Sequence, residues 1–428
     1  MLVPIPALVS LSTSRTMNQY FFLHTYFQVS RLIGLCNLHY DFSNHRFILN
    51  HVPTVAYCVI VNVLYLLILP FALFLLTGNI YDCPDAGMFG VVYNVVALTK
   101  LLTMLFLMSS VWIQRRRLHK LGNDLMKMMH KFRFNLGNDC RNRCLCKALL
   151  TSSRFLLLTQ QLVTRDSVVN CESNSSLRRA MVPYQRAAIV YALIMILLMS
   201  YVDLTVYMVE VAGNWLLVNM SQVVREMVQD LEVLPERNGI PREMGLMQIL
   251  GAWRKLWKRC RRLDALLKQI VDIFQWQLLF NLLTTYIFNI AVLFRLWIYL
   301  EFDKNFHLWK GILYALIILT HHVEIIMQFS IFEINRSKWL GLLVDVGNLW
   351  DINYSGRQCN KSRGMILSRK LEFSLFYMNR KLQLNPKRVR RLHIVGLFDL
   401  SNLTVHNMTR SIITNVLVLC QIAYKIYG

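Results

Sequence analysis

The sequence predicts an all-α membrane protein with seven transmembrane helices, a cytoplasmic N-terminus, an extracellular C-terminus and long cytoplasmic helical extensions. Of its 428 residues, 55% are hydrophobic and only 17% are charged, which exceeds the apolar content of an ordinary soluble core. The apolar residues form long runs, and the basic residues behind the net charge of +23 lie between those runs. This arrangement is typical of cytoplasmic loops and does not indicate a nucleic-acid-binding face.

Residues 1–51 are predicted to form a cytoplasmic N-terminal segment, followed by a first span at Val52–Leu76. At 1.5 Å per residue this run can cross a hydrocarbon core of about 30 Å, and Pro70 predicts a kink in it. The second span is Met88–Trp112, with Lys100 near its middle. A charge at that depth is costly in lipid, so Lys100 is either a functional residue or part of a structural ion pair.

The third crossing is short, and loop charge decides its status. The run Ala148–Val163 contains Arg154, so hydropathy alone leaves it ambiguous. Residues 114–147 and 210–275 each carry ten Lys or Arg, so the positive-inside rule assigns both loops to the cytosol. Two crossings must separate them. Ala188–Met208 is one, and the short run is the other.

The remaining spans complete the predicted organisation. Gln277–Tyr299 and Gly311–Phe332 end a domain of six helices, residues 52–332, which is predicted to contain a ligand cavity. Residues 333–395 carry thirteen Lys or Arg and return to the cytosol as an anchor segment. Residues 396–428 then provide the final helix. This orientation is opposite to that of a G-protein-coupled receptor.

Several polar residues fall inside predicted spans. Asp203 and Arg295 join Lys100 as intramembrane candidates, and Asp203 could pair with either cation. His321 and Glu324 lie on one helix face because they are three residues apart. They are candidates for ligand binding or pH-dependent gating. The alternative is a buried polar contact between helices.

Aromatic residues are concentrated in the outer halves of spans two to six. They are candidates to line a small-molecule cavity: Tyr93, Tyr191, Phe294, Trp297 and Tyr314. Anchoring at the membrane interface is the alternative role, and it is favoured for Trp309.

The external loops contain two further candidate sites. Cys83 and Cys171 are the only cysteines predicted to lie outside, where a disulfide between them is possible. Asn174 begins an Asn-Ser-Ser sequon in the second external loop and is the predicted glycosylation site.

No enzyme, cofactor or metal site is predicted. The sequence has no phosphate-binding glycine loop, no His-Glu-x-x-His and no Gly-x-Ser-x-Gly motif. The cluster of Cys140, Cys144 and Cys146 matches no common zinc spacing.

The C-terminal stretch Gly396–Gly428 begins Gly-Leu-Phe-Asp and ends in an apolar helix. It resembles the signature of insect gustatory receptors, which is Thr-Tyr, five apolar residues and Gln-Phe. Thr414 and Gln421 match that signature. Asn415 and Ile422 stand where the family has tyrosine and phenylalanine.

Two further blocks, Tyr201–Asp230 and Trp276–Leu300, also resemble this family. The resemblance implies a tetrameric, ligand-gated cation channel in the plasma membrane of sensory neurons. A small-molecule tastant would open it, and the final span would line its pore. Within that span, Thr414, Val418 and Gln421 follow one another at i, i+4 and i+7 and form one stripe. Helix packing is the alternative role of the stripe.

The cytoplasmic segments carry apolar faces that need partners, such as Leu250 and Trp253. The resemblance implies that these helices anchor the tetramer beneath the membrane. The alternative is a helix lying on anionic lipid through Arg254 and Lys258.

Other functional classes fit less well. An odorant-receptor-like channel is the nearest alternative. A G-protein-coupled receptor is disfavoured by the loop charges and by the lack of Asn-Pro-x-x-Tyr and Asp-Arg-Tyr motifs. A transporter would more often show internal repeats or paired broken helices.

Overall fold

The computed structural model describes residues 28–35, 37–41, 43–44, 46–81, 87–131, 138–163, 175–233, 242–302, 308–358, 393–394 and 398–427. Within them lie eight long helices: α1 (Val52–Tyr81), α2 (Gly87–Ile113), α3 (Arg115–Lys131), α4 (Asn138–Val163), α5 (Ser175–Val233), α6 (Arg242–Phe302), α7 (Leu308–Gln358) and α8 (Asn402–Tyr427). Two antiparallel strand pairs accompany them: β1 (His39–Asp41) with β2 (Arg46–Ile48), and β3 (His393–Ile394) with β4 (Phe398–Asp399).

The chain has helices suited to cross a membrane. In the described residues, four are long and apolar enough, with windows at Val52–Leu69, Ile196–Asp230, Met247–Phe294 and Gly311–Val346. They lie in α1, α5, α6 and α7, and α2 contributes a shorter apolar stretch, Leu98–Ile113. The predicted third and seventh spans lie in α4 and α8, which are not among the four. The protein is therefore a multi-pass helical membrane protein, and the count of seven stays a prediction.

Three helices are much longer than a membrane crossing. α5, α6 and α7 contain 59, 61 and 51 residues, whereas about 20 residues span a bilayer. Each contains a predicted span and the neighbouring segment that is predicted to be cytoplasmic, in one continuous helix. The extensions therefore project from the membrane domain as continuations of the spans.

The apolar face of the α6 extension is covered by the chain's own helices. Leu250 and Trp253 are buried in the main hydrophobic core, where α3 and α5 pack against α6. The alternative of a helix lying flat on the membrane does not fit, because α6 runs without a break into the predicted fifth span at Gln277. At 1.5 Å per residue, Arg254 and Lys258 lie about 30 Å along the helix from that point.

The N-terminal strand pair docks against α3. Arg115 donates hydrogen bonds to the carbonyl oxygens of Asn37, at 3.2 Å, and Leu49. The ring of Phe47 lies so close to Gly122 that a Cβ there would be 2.7 Å from it. This packing holds β1 and β2 against α3.

Candidate functional site

A carboxylate shared by two cations joins α4 to α7 inside the protein. Glu324 Oε1 lies 3.2 Å from Lys147 Nζ, and Glu324 Oε2 forms an ion pair with Arg154. The side chains of Lys147, Arg154 and Glu324 are only 0%, 7% and 3% exposed. Thr151 donates a further hydrogen bond of 2.9 Å to Glu324 Oε1. Buried charges persist only when paired in this way.

The local sequence of α4 explains how both cations reach one carboxylate. Lys147, Thr151 and Arg154 follow at i, i+4 and i+7, so they share one face of the helix. Sequence reasoning identified Glu324 but not this set, because it treated Arg154 as an interruption of the apolar run and Lys147 as a loop residue. The polar spacing opposite Glu324 is the signal that could have revealed the site.

Asp203 belongs to the same polar region, and its observed partner is an amide. It accepts a hydrogen bond from Asn281 of α6, while Arg154 also donates to Ser200 of α5. Lys100 and Asp203 do not form the predicted ion pair in the described structure; Lys100 Nζ lies over the Phe288 ring instead, 4.6 Å from its centroid. A cation over an aromatic face is stabilised by the ring quadrupole.

Two other predicted polar residues have mixed outcomes. The side chain of Arg295 lies outside the described part of the chain. His321 shares a helix face with Glu324 as predicted, but its Nδ1 contacts Asn289 Oδ1 at 3.1 Å and its ring meets Phe288 edge-on. The neighbouring His322 contacts the Thr409 hydroxyl of α8 at 2.8 Å. Both histidines therefore make polar contacts between helices, and a ligand-binding role stays a prediction.

A small cavity with both polar and apolar lining residues adjoins this buried cluster. Its volume is about 40 Å³, and its lining includes Lys147, Arg154, Asp203, Glu324 and Gln328. One water needs roughly 10–15 Å³, so the cavity has room for a few waters and not for a tastant. Both polar atoms of the Gln328 amide are buried without a hydrogen-bond partner, which fits a cavity that holds water.

Three of the aromatic residues predicted to line a cavity are buried among other side chains, and their role in ligand binding stays a prediction. Tyr191, Phe294 and Tyr314 are buried. The Tyr191 hydroxyl lies 3.3 Å from a methionine sulfur, and Phe294 stacks on Trp297 with ring centroids 6.2 Å apart. These residues pack the interior because their large apolar surfaces stabilise helix contacts.

Two aromatic predictions remain. The side chain of Tyr93 lies outside the described residues. Trp309 is 62% exposed, as expected for the alternative role at the membrane interface.

One face of α8 packs on α6 and α7. Ile412 is buried there, and the Tyr286 hydroxyl of α6 lies 2.8 Å from Ser411 Oγ. Asn415, which replaces the tyrosine of the family signature, donates a 2.7 Å hydrogen bond to the same hydroxyl. The substituted residue thus has a defined partner.

The opposite side of α8 is open to its surroundings within the single chain. Thr414, Val418 and Gln421 are all exposed, Val418 by 46%. The Thr414 hydroxyl bonds only its own helix, at the carbonyl of Arg410. These contacts leave the predicted stripe free to face a neighbouring subunit, a pore or lipid.

The first residue of α8 is held by a carboxylate from α7. Glu333 accepts hydrogen bonds from the backbone nitrogen of Asn402, at 3.2 Å, and from its side chain, at 2.5 Å. A carboxylate at a helix N-terminus satisfies an otherwise unpaired backbone donor and interacts favourably with the helix dipole. The start of α8 is therefore tied to α7.

The predicted disulfide between Cys83 and Cys171 and the glycosylation site at Asn174 lie outside the described residues, and both stay predictions. Across the described residues, no group of three or more His, Cys, Asp or Glu is arranged to hold a metal.

Residues 23–426 match a family model described as 7tm Chemosensory receptor, so the protein is a chemosensory receptor of the membrane-spanning class. The chain belongs to the insect gustatory receptor family. It is 92% identical over 412 residues to "Putative gustatory receptor 58c" of Drosophila melanogaster, covering 96% of this chain and 100% of that protein.

Solved structures share the fold. The insect olfactory receptor OR5 from Machilis hrabei matches with a TM-score of 0.59 and 12% identity, covering 94% of this chain and 99% of that one. The same receptor in complex with eugenol matches with a TM-score of 0.53 and 13% identity over the same shares of the two chains. At these identities the likeness establishes the fold alone.

Proposed function

We propose that this chain is a subunit of a ligand-gated cation channel that opens when a small-molecule tastant binds among its membrane helices. Its N-terminus is cytoplasmic, its C-terminus is extracellular, and it crosses the plasma membrane of sensory neurons seven times. Membership of the gustatory receptor family supports this function. The shared fold with an olfactory receptor solved in complex with eugenol supports recognition of a small molecule.

The observation that carries the proposal is the two-sided environment of α8. One face packs against α6 and α7, while Thr414, Val418 and Gln421 are exposed. Four such helices around an axis would give polar rings at Thr414 and Gln421 on either side of an apolar ring at Val418. A hydrophobic constriction of this kind gates by dewetting. Cation passage requires the exposed Lys425 to point away from the axis.

The ligand site is proposed among the outer aromatic residues. In the described conformation Tyr191, Phe294 and Tyr314 are buried, so a ligand must create its own space by displacing them. His321 and Glu324 lie on the adjoining face of α7. When a ligand displaces these side chains, the contacts between α6 and α7 change and the two helices shift. Because α8 packs on both of them, α8 shifts as well.

Recordings of ionic current from cells expressing the chain, alone and with related subunits, test this function. Val418→Ser should raise the resting current because a hydroxyl wets the constriction, and Gln421→Glu should change the cation permeability ratios. Ile413→Ser is the matched control, because Ile413 is also exposed on α8 but lies about 140° around the helix from Val418. Ligand-evoked currents unchanged by the first two variants, or equal leak from the control, would place the pore elsewhere.

An odorant-receptor-like channel is the second candidate, favoured by the fold shared with the Machilis hrabei receptor. Responses to volatile and to non-volatile ligand panels would separate the two. A surface-accessible N-terminal epitope tag would contradict both and would favour a G-protein-coupled receptor.

A further inference from the structure

The junction of α2 and α3 carries an exposed stripe of one apolar and three basic residues. Ile113, Arg116, Arg117 and Lys120 occupy positions i, i+3, i+4 and i+7, so they share one side of the helix. Helical hydrogen bonds continue through the junction, from Gln114 N to the carbonyl of Ser110 at 2.8 Å and from Leu118 N to that of Gln114 at 2.9 Å. We name these four residues the junction stripe.

The junction stripe has no partner in the part of the chain that the structure describes. Ile113 is 78% exposed, and the three basic side chains are also exposed. None of the three forms an ion pair with a described residue. Arg115, by contrast, is turned inward and bonds the carbonyls of Asn37 and Leu49.

The other side of α3 is already occupied. Leu121 and Leu125 are buried in the main core. Asp124, the carboxylate nearest to Lys120 along the helix, is paired with Arg262 of α6. The three cations therefore face outward together, and like charges four residues apart repel each other.

We propose that the junction stripe binds the headgroups of anionic phospholipids in the inner leaflet. Ile113 ends an apolar helix, and the cations follow it directly, so the stripe passes from acyl-chain depth to headgroup depth. Basic residues beside the cytoplasmic end of a span attract anionic lipid. A second copy of this chain would present the same positive charges and is disfavoured by repulsion. A free phosphate would leave Ile113 uncovered.

The inference rests on the cytoplasmic placement of α3 proposed above but not on conduction, so the two can fail separately. Native mass spectrometry of the full-length receptor, titrated with short-chain phosphatidylserine or phosphatidylcholine, measures the preference for anionic lipid. The wild-type chain should prefer phosphatidylserine, and added salt should weaken that preference because exposed charges are screened. Free glycerophosphoserine, which has the same headgroup without acyl chains, and inorganic phosphate should bind more weakly, since neither can cover Ile113.

The decisive variant is Arg116→Gln/Arg117→Gln/Lys120→Gln. Each basic residue near a membrane surface contributes about fivefold to the binding of anionic lipid. The preference of this triple variant for phosphatidylserine should therefore fall by roughly 100-fold. Arg116→Lys/Arg117→Lys, which keeps the charge, should retain most of the preference. Lys120→Gln alone should lower the preference for phosphatidylserine about fivefold. This milder variant tests the proposal if the triple variant does not fold.

The matched control is Arg254→Gln/Lys255→Gln/Lys258→Gln. It removes three exposed cations from the α6 extension, about 30 Å along the helix from the predicted fifth span and well beyond the screening length of about 8 Å. Its lipid preference should equal that of the wild-type chain. Equal loss in the control, no preference in the wild-type chain, or a changed oligomer mass in the junction variant would overturn the proposal.

Discussion

Glu324→Gln is expected to destabilise the protein strongly. The substitution keeps the size of the side chain but removes the negative charge that faces Lys147 and Arg154. Both cations are almost wholly buried, and Asp203 with its Asn281 partner is the remaining carboxylate of the cluster. Breaking a buried pair by removing one partner costs about 3–5 kcal/mol. We expect a loss of that size in the free energy of unfolding.

The measurement is the unfolding of purified receptor titrated with SDS in mixed micelles, followed by circular dichroism. Asp264→Asn is the control, because Asp264 also pairs with a lysine, Lys268, at 3.0 Å, but the two side chains are 27% and 53% exposed. A surface pair spaced i to i+4 contributes about 0.3–0.5 kcal/mol. The loss in the free energy of unfolding should therefore be roughly tenfold larger for Glu324→Gln than for Asp264→Asn.

A double-substitution cycle separates the ion pair from general damage to the core. Arg154→Met removes one of the cations that Glu324→Gln leaves without a partner. The double variant should therefore lose less stability than the sum of the losses of the two single variants. Strict additivity would show that the two side chains do not interact. A loss for Glu324→Gln no larger than for Asp264→Asn would refute the assignment of a buried, charged cluster.

Two further predictions concern α8 and the topology. Tyr286→Phe removes the hydroxyl that bonds Ser411 and Asn415. It should lower the free energy of unfolding by about 1 kcal/mol in the same SDS titration. An unfolding midpoint equal to that of the wild-type chain would show that the contact contributes nothing. Asn174→Gln should abolish the glycosidase-sensitive shift in gel mobility. Asn219→Gln, in the α5 extension, should leave that shift intact. A glycan on Asn219 would contradict the proposed orientation.

The sequence by itself determined which stretches of this protein are apolar helices and which loops are basic. Hydropathy and loop charge are properties of contiguous residues, so they can be read without knowing what a helix packs against. This is why the bounds of α2 agree closely with the second predicted span. It is also why the first six predicted spans fall within helices. The predicted final helix at 396–428 is wrong at its start, because Phe398–Asp399 pairs as a strand and α8 begins at Asn402.

Only the tertiary structure decided how buried polar and aromatic residues are partnered. Arg154 interrupts an apolar run in the sequence, yet in the fold it pairs with Glu324, 170 positions away along the chain. Asn415 departs from a family signature, yet it bonds Tyr286 of another helix. Such contacts depend on how helices rotate and slide against each other. The helix positions that result are those that give the whole packed core its lowest free energy. No single stretch of sequence encodes those positions.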